Sequence, residues 1–279
     1  MPVIDSSALA AWVGRTEVRE DHISERNAQL LAATLDRDAV PANGEALPPL
    51  WHWTYFVPTA RTAEIEADGH PKRGGFLPAV PLPRRMWAGG RLTFAKPLAV
   101  GERATRRSTI RDVSAKHGKT GTLVFVKVLH EIEGESGLAI SEEQDIVFRE
   151  AASGPAAAPP AAPGDAQWSD GIEPGPVLLF RYSALTFNSH RIHYDQPYAT
   201  GVEGYPGLLV HGPLSATLLV ESLARRTTRA LKSFSFRGVS PLTGGARITF
   251  NGRIEGDRAL LWAANADGRL AMTAEATLA

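Results

Sequence analysis

A stretch of alanine and proline divides this sequence into two parts and so limits how the chain can fold. Residues 151–164 hold seven alanines, four prolines and two glycines. Repeated proline disfavours helices and central strands, and the stretch has almost no large side chain to bury. We therefore interpret residues 151–166 as a linker between two units, residues 1–150 and residues 167–279.

The two units share a plan in which a helix comes early and strands come late. In the first unit, Ser24 precedes a helical pattern of leucines, and strand patterns with alternating apolar and polar residues fill residues 91–150. In the second unit, Pro213 opens a helix with leucines on one face, and similar strand patterns fill residues 231–278. Residues 176–186, which precede this helix, also show a strand-like pattern.

A weak internal repeat supports this plan, because residues 92–113 resemble residues 234–256 once one gap is allowed. One long helix wrapped by a curved antiparallel sheet is the hotdog arrangement. We therefore predict an α+β fold, a double hotdog in which each half has a long helix wrapped by a curved antiparallel sheet.

Composition excludes several classes of protein. Thirty basic and thirty acidic residues leave no net charge, so we expect no nucleic-acid partner. The absence of cysteine excludes disulfides and thiolate metal sites. No apolar run reaches the roughly 18 residues of a membrane helix, and the N-terminal sequence predicts a short helix instead of a signal peptide. We therefore expect a cytoplasmic protein with no membrane partner.

Two polar segments stand out from their apolar surroundings: residues 187–195, FNSHRIHYD, and the pair His211-Gly212 before the second helix. Histidine suits a proton shuttle because it titrates at roughly pH 6 to 7. Asn188 cannot act as a base, but its amide can hold a water molecule. The N–H of Gly212 would begin a helix, where an anion is favoured, and glycine lets a substrate approach closely. We expect Asp195 to cap a short helix.

These residues resemble the active-site motif of the MaoC-like (R-specific) enoyl-CoA hydratases, a hotdog family. The family motif runs Gly-Asp-x-Asn-Pro-aliphatic-His and continues, after a gap, with His-Gly before a helix. Residues 187–193 match its spacing, although Phe, Asn, His and Arg replace the family's Gly, Asp, Asn and Pro. The resemblance implies reversible hydration of a 2-enoyl-CoA, or dehydration of a 3-hydroxyacyl-CoA, without a cofactor. It implies three catalytic residues: His193, Asn188 and Gly212.

Longer segments, residues 73–94 and 141–150 among them, resemble a narrower group of hydratases that act on mesaconyl-C4-CoA or itaconyl-CoA and give citramalyl-CoA. Such substrates carry a free carboxylate, which arginine binds well. We therefore expect four side chains to bind the acyl-CoA: Arg84, Arg85, Arg191 and His211. The resemblance also implies a degenerate first unit that forms pocket walls, a catalytic second unit, and a homodimer or higher homo-oligomer.

Other interpretations stay open. A hotdog thioesterase would need a carboxylate near the central helix, where Glu221 is the only acidic residue. A hydratase for linear 3-hydroxyacyl-CoA or acyl-carrier-protein substrates fits as well, and so does a non-catalytic acyl-binding regulator. Residues 142–145, EEQD, predict a solvated strand face. The histidines His190, His193 and His211 could suggest a metal site. Two histidines at short spacing with no nearby series of glutamates are a weak metal signal, so we expect no metal.

Overall fold

All the strands that the structure describes belong to one antiparallel sheet. The computed structural model describes residues 4, 6–118, 121–150 and 158–279. In chain order the strands are β1 (Thr16–His22), β2 (Arg84–Phe94), β3 (Arg103–Gly118), β4 (Gly121–Gly134), β5 (Gly137–Arg149), β6 (Trp168–Ile172), β7 (Leu231–Gly238), β8 (Ile248–Glu255), β9 (Arg258–Ala264) and β10 (Leu270–Leu278). The α-helices are α1 (Ser6–Ala10), α2 (Glu25–Thr34), α3 (Pro176–Leu185), α4 (Gln196–Gly201) and α5 (Gly212–Ala224).

The sheet consists of two similar five-stranded halves that meet at its centre. Its order is β1-β3-β4-β5-β2-β7-β10-β9-β8-β6, so the two halves mirror each other outward from the β2–β7 pair. At this pair Leu92 lies opposite Phe234. These two residues begin the two copies of the internal repeat found in the sequence. The repeat therefore reflects the way in which the two halves join.

The two helices predicted after Ser24 and at Pro213 begin where the sequence places them. The side chain of Ser24 caps α2 by accepting a hydrogen bond from the N–H of Asn27 at 3.3 Å. Helix α5 begins at Gly212 and packs against β8, β9 and β10, with Leu214 and Leu219 fully buried. One hydrophobic core contains residues from α2, α5 and strands of both halves. The two halves thus share a core, and each depends on the other for burial.

The prediction of a strand over residues 176–186 is wrong, because this segment forms α3. Its buried side chains are Leu179, Tyr182 and Ser183, which are three and four residues apart, as on one face of a helix. Pro176 lies in the first turn, a position that suits proline. Apolar residues dominate the segment, and a short apolar run does not distinguish a helix from a strand by its period.

Other boundaries differ in detail from the prediction. Helix α2 has 10 residues and α5 has 13, so the helix of the first half is the shorter one. The edge strands β1 and β6 were not predicted. Residues 151–157 of the predicted linker lie outside the described residues. The next part runs along the second half, where Ala162 donates to the carbonyl of Gly268 at 2.9 Å. Within the described ranges, no helix is long and apolar enough to cross a membrane.

Candidate active site

The polar segment 187–195 lies in the turn that follows α3. Phe187 adopts a left-handed backbone conformation, with φ of 47°, which ends the helix and turns the chain. The N–H of Asn188 donates to a carbonyl of α3 at 2.8 Å. A short 3-10 helix, Arg191–His193, comes next, and the side chain of Asp195 then accepts a hydrogen bond from the backbone of α4 at 3.1 Å. The cap predicted at Asp195 is therefore confirmed.

The ring of His193 is buried and held in one tautomer. Its Nδ1 lies 2.8 Å from the carbonyl oxygen of Leu209, which can only accept a hydrogen bond. Nδ1 therefore carries the hydrogen, and Nε2 carries the lone pair. Among the described residues Nε2 has no hydrogen-bond partner, and it is not fully buried. Burial lowers the pKa of His193 to about 4, although the bond to Leu209 raises it, so the ring is neutral at pH 7.

His211 packs directly against His193. Their rings stack with centroids 3.6 Å apart and planes inclined by 20°. Nε2 of His211 lies 2.9 Å from the hydroxyl oxygen of Ser183, and its Nδ1 is buried with no partner among the described residues. Burial holds the pKa of His211 well below its ordinary value, and His193 lowers it further. This closed environment favours a bracing role for His211 over the substrate-binding role expected from the sequence.

The backbone N–H of Gly212 opens α5 and forms no hydrogen bond within the described part of the chain. The N-terminus of a helix favours an anion, because its first N–H groups lack partners and carry partial positive charge. A Cβ added to Gly212 would meet only the carbonyl oxygen of Trp87, at 3.9 Å. Packing within the protein therefore does not require glycine at this position. The N–H is left as an unused donor for a ligand oxygen.

A row of histidines leads from His193 into the first half of the chain. The ring of His190 lies edge-on to His193 with centroids 5.5 Å apart, and the ring of His70 lies 4.0 Å from His190. Asp68 accepts two hydrogen bonds from His70, at 2.9 Å from Nδ1 and at 2.8 Å from the backbone N–H. Asp68 and His70 carry no motif that could have identified them, because only the fold brings them to this site.

The turn that carries Asp68 and His70 is docked tightly on the polar segment. The N–H of Arg191 donates to the carbonyl of Asp68 at 2.9 Å, and its guanidinium donates to the carbonyl of Ala67 at 3.1 Å. The hydroxyl of Ser189 donates to the carbonyl of Gly69. Gly69 has a φ of 94°, and a Cβ there would lie 1.7 Å from the carbonyl oxygen of Ser189. Only glycine permits this approach of the two backbones.

Two of the three arginines expected to bind substrate already have partners. Arg191 forms an ion pair with Asp195 at 2.7 Å and lies over a tyrosine ring at 4.0 Å. Arg84 donates to the backbone carbonyl of Glu203 at 2.8 Å and faces its carboxylate at 3.4 Å. These contacts favour structural roles for both side chains. The guanidinium of Arg85, by contrast, forms no hydrogen bond or ion pair with any described residue, although the backbone of Arg85 pairs with β5.

The residues beside His193 offer an incomplete set of metal ligands. Asp68, His70 and His190 each place one donor atom within 4.8 Å of the others in the part of the chain that is described. One oxygen of Asp68 is already bonded to Nδ1 of His70. The geometry therefore favours an oriented histidine over a metal centre, and the expected absence of a metal stays a prediction.

The carboxylates singled out in the sequence lie elsewhere. The solvated strand face predicted for residues 142–145 is wrong for Glu142, which is buried and accepts from His52 at 3.1 Å and from Trp53 at 3.0 Å. The alternating strand turns this one side chain inward. Glu221 is also buried and accepts from Trp51 at 2.9 Å. It lies about 13 Å along α5 from Gly212, since a helix rises roughly 1.5 Å per residue.

A cavity of about 590 Å³ lies at the C-terminal end of α5, where Leu223 and Ala224 form part of its wall. Phe94 and Lys96, from the end of β2 and the turn after it, also line it. None of His70, His190, His193 and His211 contributes to the lining. This cavity is therefore separate from the site at the start of α5.

Two joined halves, a neutral histidine and a free helix N-terminus define an enzyme of the hotdog dehydratase class. The chain belongs to the hydroxyacyl-thioester dehydratase type 2 family, whose model matches residues 50–244. It is 48% identical to the mesaconyl-C(4)-CoA hydratase of Chloroflexus aurantiacus over 99% of each chain. The MaoC-like family and the hydro-lyase class expected from the sequence are thus confirmed.

Solved structures confirm the fold. A MaoC-like dehydratase superposes with a TM-score of 0.74 at 15% identity and covers 97% of this chain and 99% of its own. A Mycobacterium tuberculosis protein described as a double hotdog superposes with a TM-score of 0.55 at 14% identity, over 96% of each chain. The predicted double hotdog is therefore correct.

Proposed function

We propose that this protein hydrates mesaconyl-C4-CoA reversibly to citramalyl-CoA. One observation carries the proposal. Nε2 of His193 has a free lone pair, and the ring of His193 stacks on His211, the residue directly before Gly212, whose N–H forms no hydrogen bond. The enoyl thioester needs a base for water and a donor for the oxygen that becomes negative. The identity to a relative named for this substrate supports the choice of acyl group.

In the proposed reaction, Nε2 of His193 takes a proton from water as the water oxygen forms a bond to C3. The electrons of the C2–C3 double bond move toward the thioester, whose oxygen becomes negative and accepts from the N–H of Gly212. Protonated His193 then returns the proton to C2, so that one water molecule is added in total. The reverse steps dehydrate the 3-hydroxyacyl thioester.

Asn188 is assigned to hold the attacking water. Its side-chain oxygen already accepts from the backbone N–H of His190 at 3.0 Å. The amide N–H₂ group is left as a donor toward the water oxygen, and an amide cannot remove a proton. His193 is therefore both the acid and the base of this reaction, and Asn188 positions the water molecule that His193 deprotonates.

The carboxylate that the thioesterase alternative would use on the central helix is poorly placed. Glu221, its candidate on the central helix, is buried and bonded to Trp51 and Arg37, far from Gly212 along the helix. A regulator without catalysis would not need a histidine tautomer fixed by Leu209. A linear acyl substrate is the remaining competitor, which the assay below tests. The cytoplasmic location and the homo-oligomeric state stay predictions.

The test is a panel of thioesters incubated with the purified full-length protein. Loss of enoyl-thioester absorbance reports hydration, and a thiol reagent reports hydrolysis. We expect hydration of mesaconyl-C4-CoA without free thiol, at a higher kcat/KM than for crotonyl-CoA. Itaconyl-CoA is the matched competitor, since its carboxylate is also on C3 but its double bond is not conjugated to the thioester, so its hydration is followed by chromatography of the product. Free thiol in step with enoyl loss, or equal use of crotonyl-CoA, contradicts the proposal.

A further inference from the structure

Arg85 is an unpaired cation beside the row of histidines. It is half-buried, and within the described residues no acceptor bonds to its guanidinium. None of its nitrogens is among the buried atoms that lack a partner, so the head of the side chain reaches open space. Burial of a charge without a partner is unfavourable, and such a group gains from an anion that arrives with a ligand.

The acidic groups near Arg85 are already engaged. Both carboxylate oxygens of Asp68 accept hydrogen bonds from His70. Glu66 accepts from the backbone N–H of Arg73 at 3.2 Å and faces its guanidinium at 3.5 Å. The guanidinium of Arg73 is itself fixed by three backbone carbonyls of residues 80–83. Among the described charged groups of this loop, Arg85 is the one whose guanidinium has no hydrogen-bond partner, while the charges of Asp68 and Glu66 act on it from a distance.

The position of Arg85 relates it to the start of α5. Arg85 and Trp87 are two residues apart on β2, so their side chains point to the same face of the sheet. The two residues are about 7 Å apart along the strand. The carbonyl of Trp87 is the protein atom that approaches Gly212. Arg85 therefore lies on the strand that passes the start of α5, two residues before the one that approaches Gly212.

The charge of Arg85 also acts on the histidines. Burial lowers the pKa of His70 and of His190, and the charge of Arg85 lowers both further. The two rings are therefore biased toward their neutral forms, and Arg85 is close enough for its charge to act on both.

We propose that Arg85 binds the free carboxylate of the acyl group and so selects carboxylated enoyl thioesters, an inference that rests on the function proposed above. With the thioester oxygen at Gly212, the carboxylate on C3 points toward the histidine row and Arg85. Guanidinium and carboxylate match as a two-bond fork. The fork fixes C3 beside the water that His193 activates. Neither Arg84 nor Arg191 can do this without giving up its ion pair.

The test compares two substrates that differ only in this group. In 3-methylcrotonyl-CoA a methyl group replaces the carboxylate of mesaconyl-C4-CoA. We expect Arg85→Met to reduce kcat/KM for mesaconyl-C4-CoA roughly 100-fold, as for a lost charged hydrogen-bond pair, and to leave the methyl substrate unaffected. Arg91→Met is the matched control, because Arg91 lies on the same strand and pairs with Glu143 and Asp145 at the surface.

A binding measurement keeps the inference independent of turnover. Succinyl-CoA and butyryl-CoA are unreactive in hydration and differ by the same exchange of carboxylate for methyl. Calorimetry should show that the wild-type protein prefers succinyl-CoA, that Arg85→Lys weakens this preference, and that Arg85→Met abolishes it. If the preference survives in both variants, Arg85 is not the receptor. If the preference is lost but mesaconyl-C4-CoA is never hydrated, the proposed function fails and the role of Arg85 stands.

Discussion

Replacement of Gly69 by alanine should pull the two halves apart at the active site. The new Cβ would lie 1.7 Å from the carbonyl oxygen of Ser189, so the two backbones must separate by at least 1.3 Å to reach the 3.0 Å that real Cβ atoms keep. Hydrogen bonds of Arg191 to Asp68 and to Ala67, and one of Ser189 to Gly69, span this contact. We expect the separation to break them.

The energetic cost can be divided into two parts. Three lost hydrogen bonds are worth about 3 kcal/mol, at about 1 kcal/mol each. The left-handed backbone adds about 1 to 2 kcal/mol for a residue with a side chain. We therefore expect the free energy of unfolding to fall by about 4 kcal/mol, and kcat/KM to fall on the order of 100-fold because the active-site turn is displaced.

Gly74→Ala is the matched control for Gly69→Ala. Gly74 lies in the same loop with a φ of 86°, but the nearest atom to its added Cβ is 3.6 Å away. It should carry only the cost of the backbone conformation, about 1 to 2 kcal/mol, with activity retained. Urea unfolding and steady-state kinetics measure both variants. Equal losses in the two proteins would refute the argument from close backbone approach.

Three further predictions concern ionisation and catalysis. His193→Ala should reduce kcat/KM on the order of 100-fold or more in the hydration assay, and near wild-type activity would exclude it as the base. Because the pKa of His193 is about 4, wild-type kcat/KM should be flat from pH 6 to 8. Asn188→Asp places a negative charge beside the ring, so it should raise that pKa and move the fall in activity at acid pH to higher pH. Identical pH profiles for the two proteins would contradict this expectation. Burial lowers the pKa of His130 to about 4 in the folded protein, below the 6.5 of the unfolded chain. Below pH 6.5 the unfolded chain therefore takes up a proton that the folded protein does not, and the free energy of unfolding falls. From pH 7 to pH 5 the free energy of unfolding, measured with urea, should drop by about 2 kcal/mol more in the wild type than in His130→Gln. Equal drops in the two proteins would refute the low pKa of His130.

Local sequence was enough to single out the residues that the proposed reaction uses. His193 and Asn188 lie in one short segment, and Gly212 precedes a proline, which is favoured in the first turn of a helix. The three are thus specified by spacing and by elementary helix chemistry. Local sequence failed at α3, because a short apolar run has no period that distinguishes a helix from a strand.

The rest of the site depends on contacts between distant segments. Asp68 and His70 reach the site through pairing with residues about 120 positions later, which no local pattern encodes. Arg84, Arg85 and Arg191 look equivalent in the sequence. Only the positions of their partners show which guanidinium is free. The sequence likewise does not show the burial that lowers the pKa of His193 below the ordinary value of a histidine.

The β2–β7 pairing, by which one chain holds both halves of the sheet, removes a constraint on evolution. In a symmetric dimer of identical units, every substitution appears twice, so a residue that improves one site also alters the other. Here Gly69 and Arg85 lie in the first half of the chain, whereas His193 and Gly212 lie in the second. A single asymmetric site can therefore distinguish the two ends of a substrate, because each end meets residues that need not recur at the other.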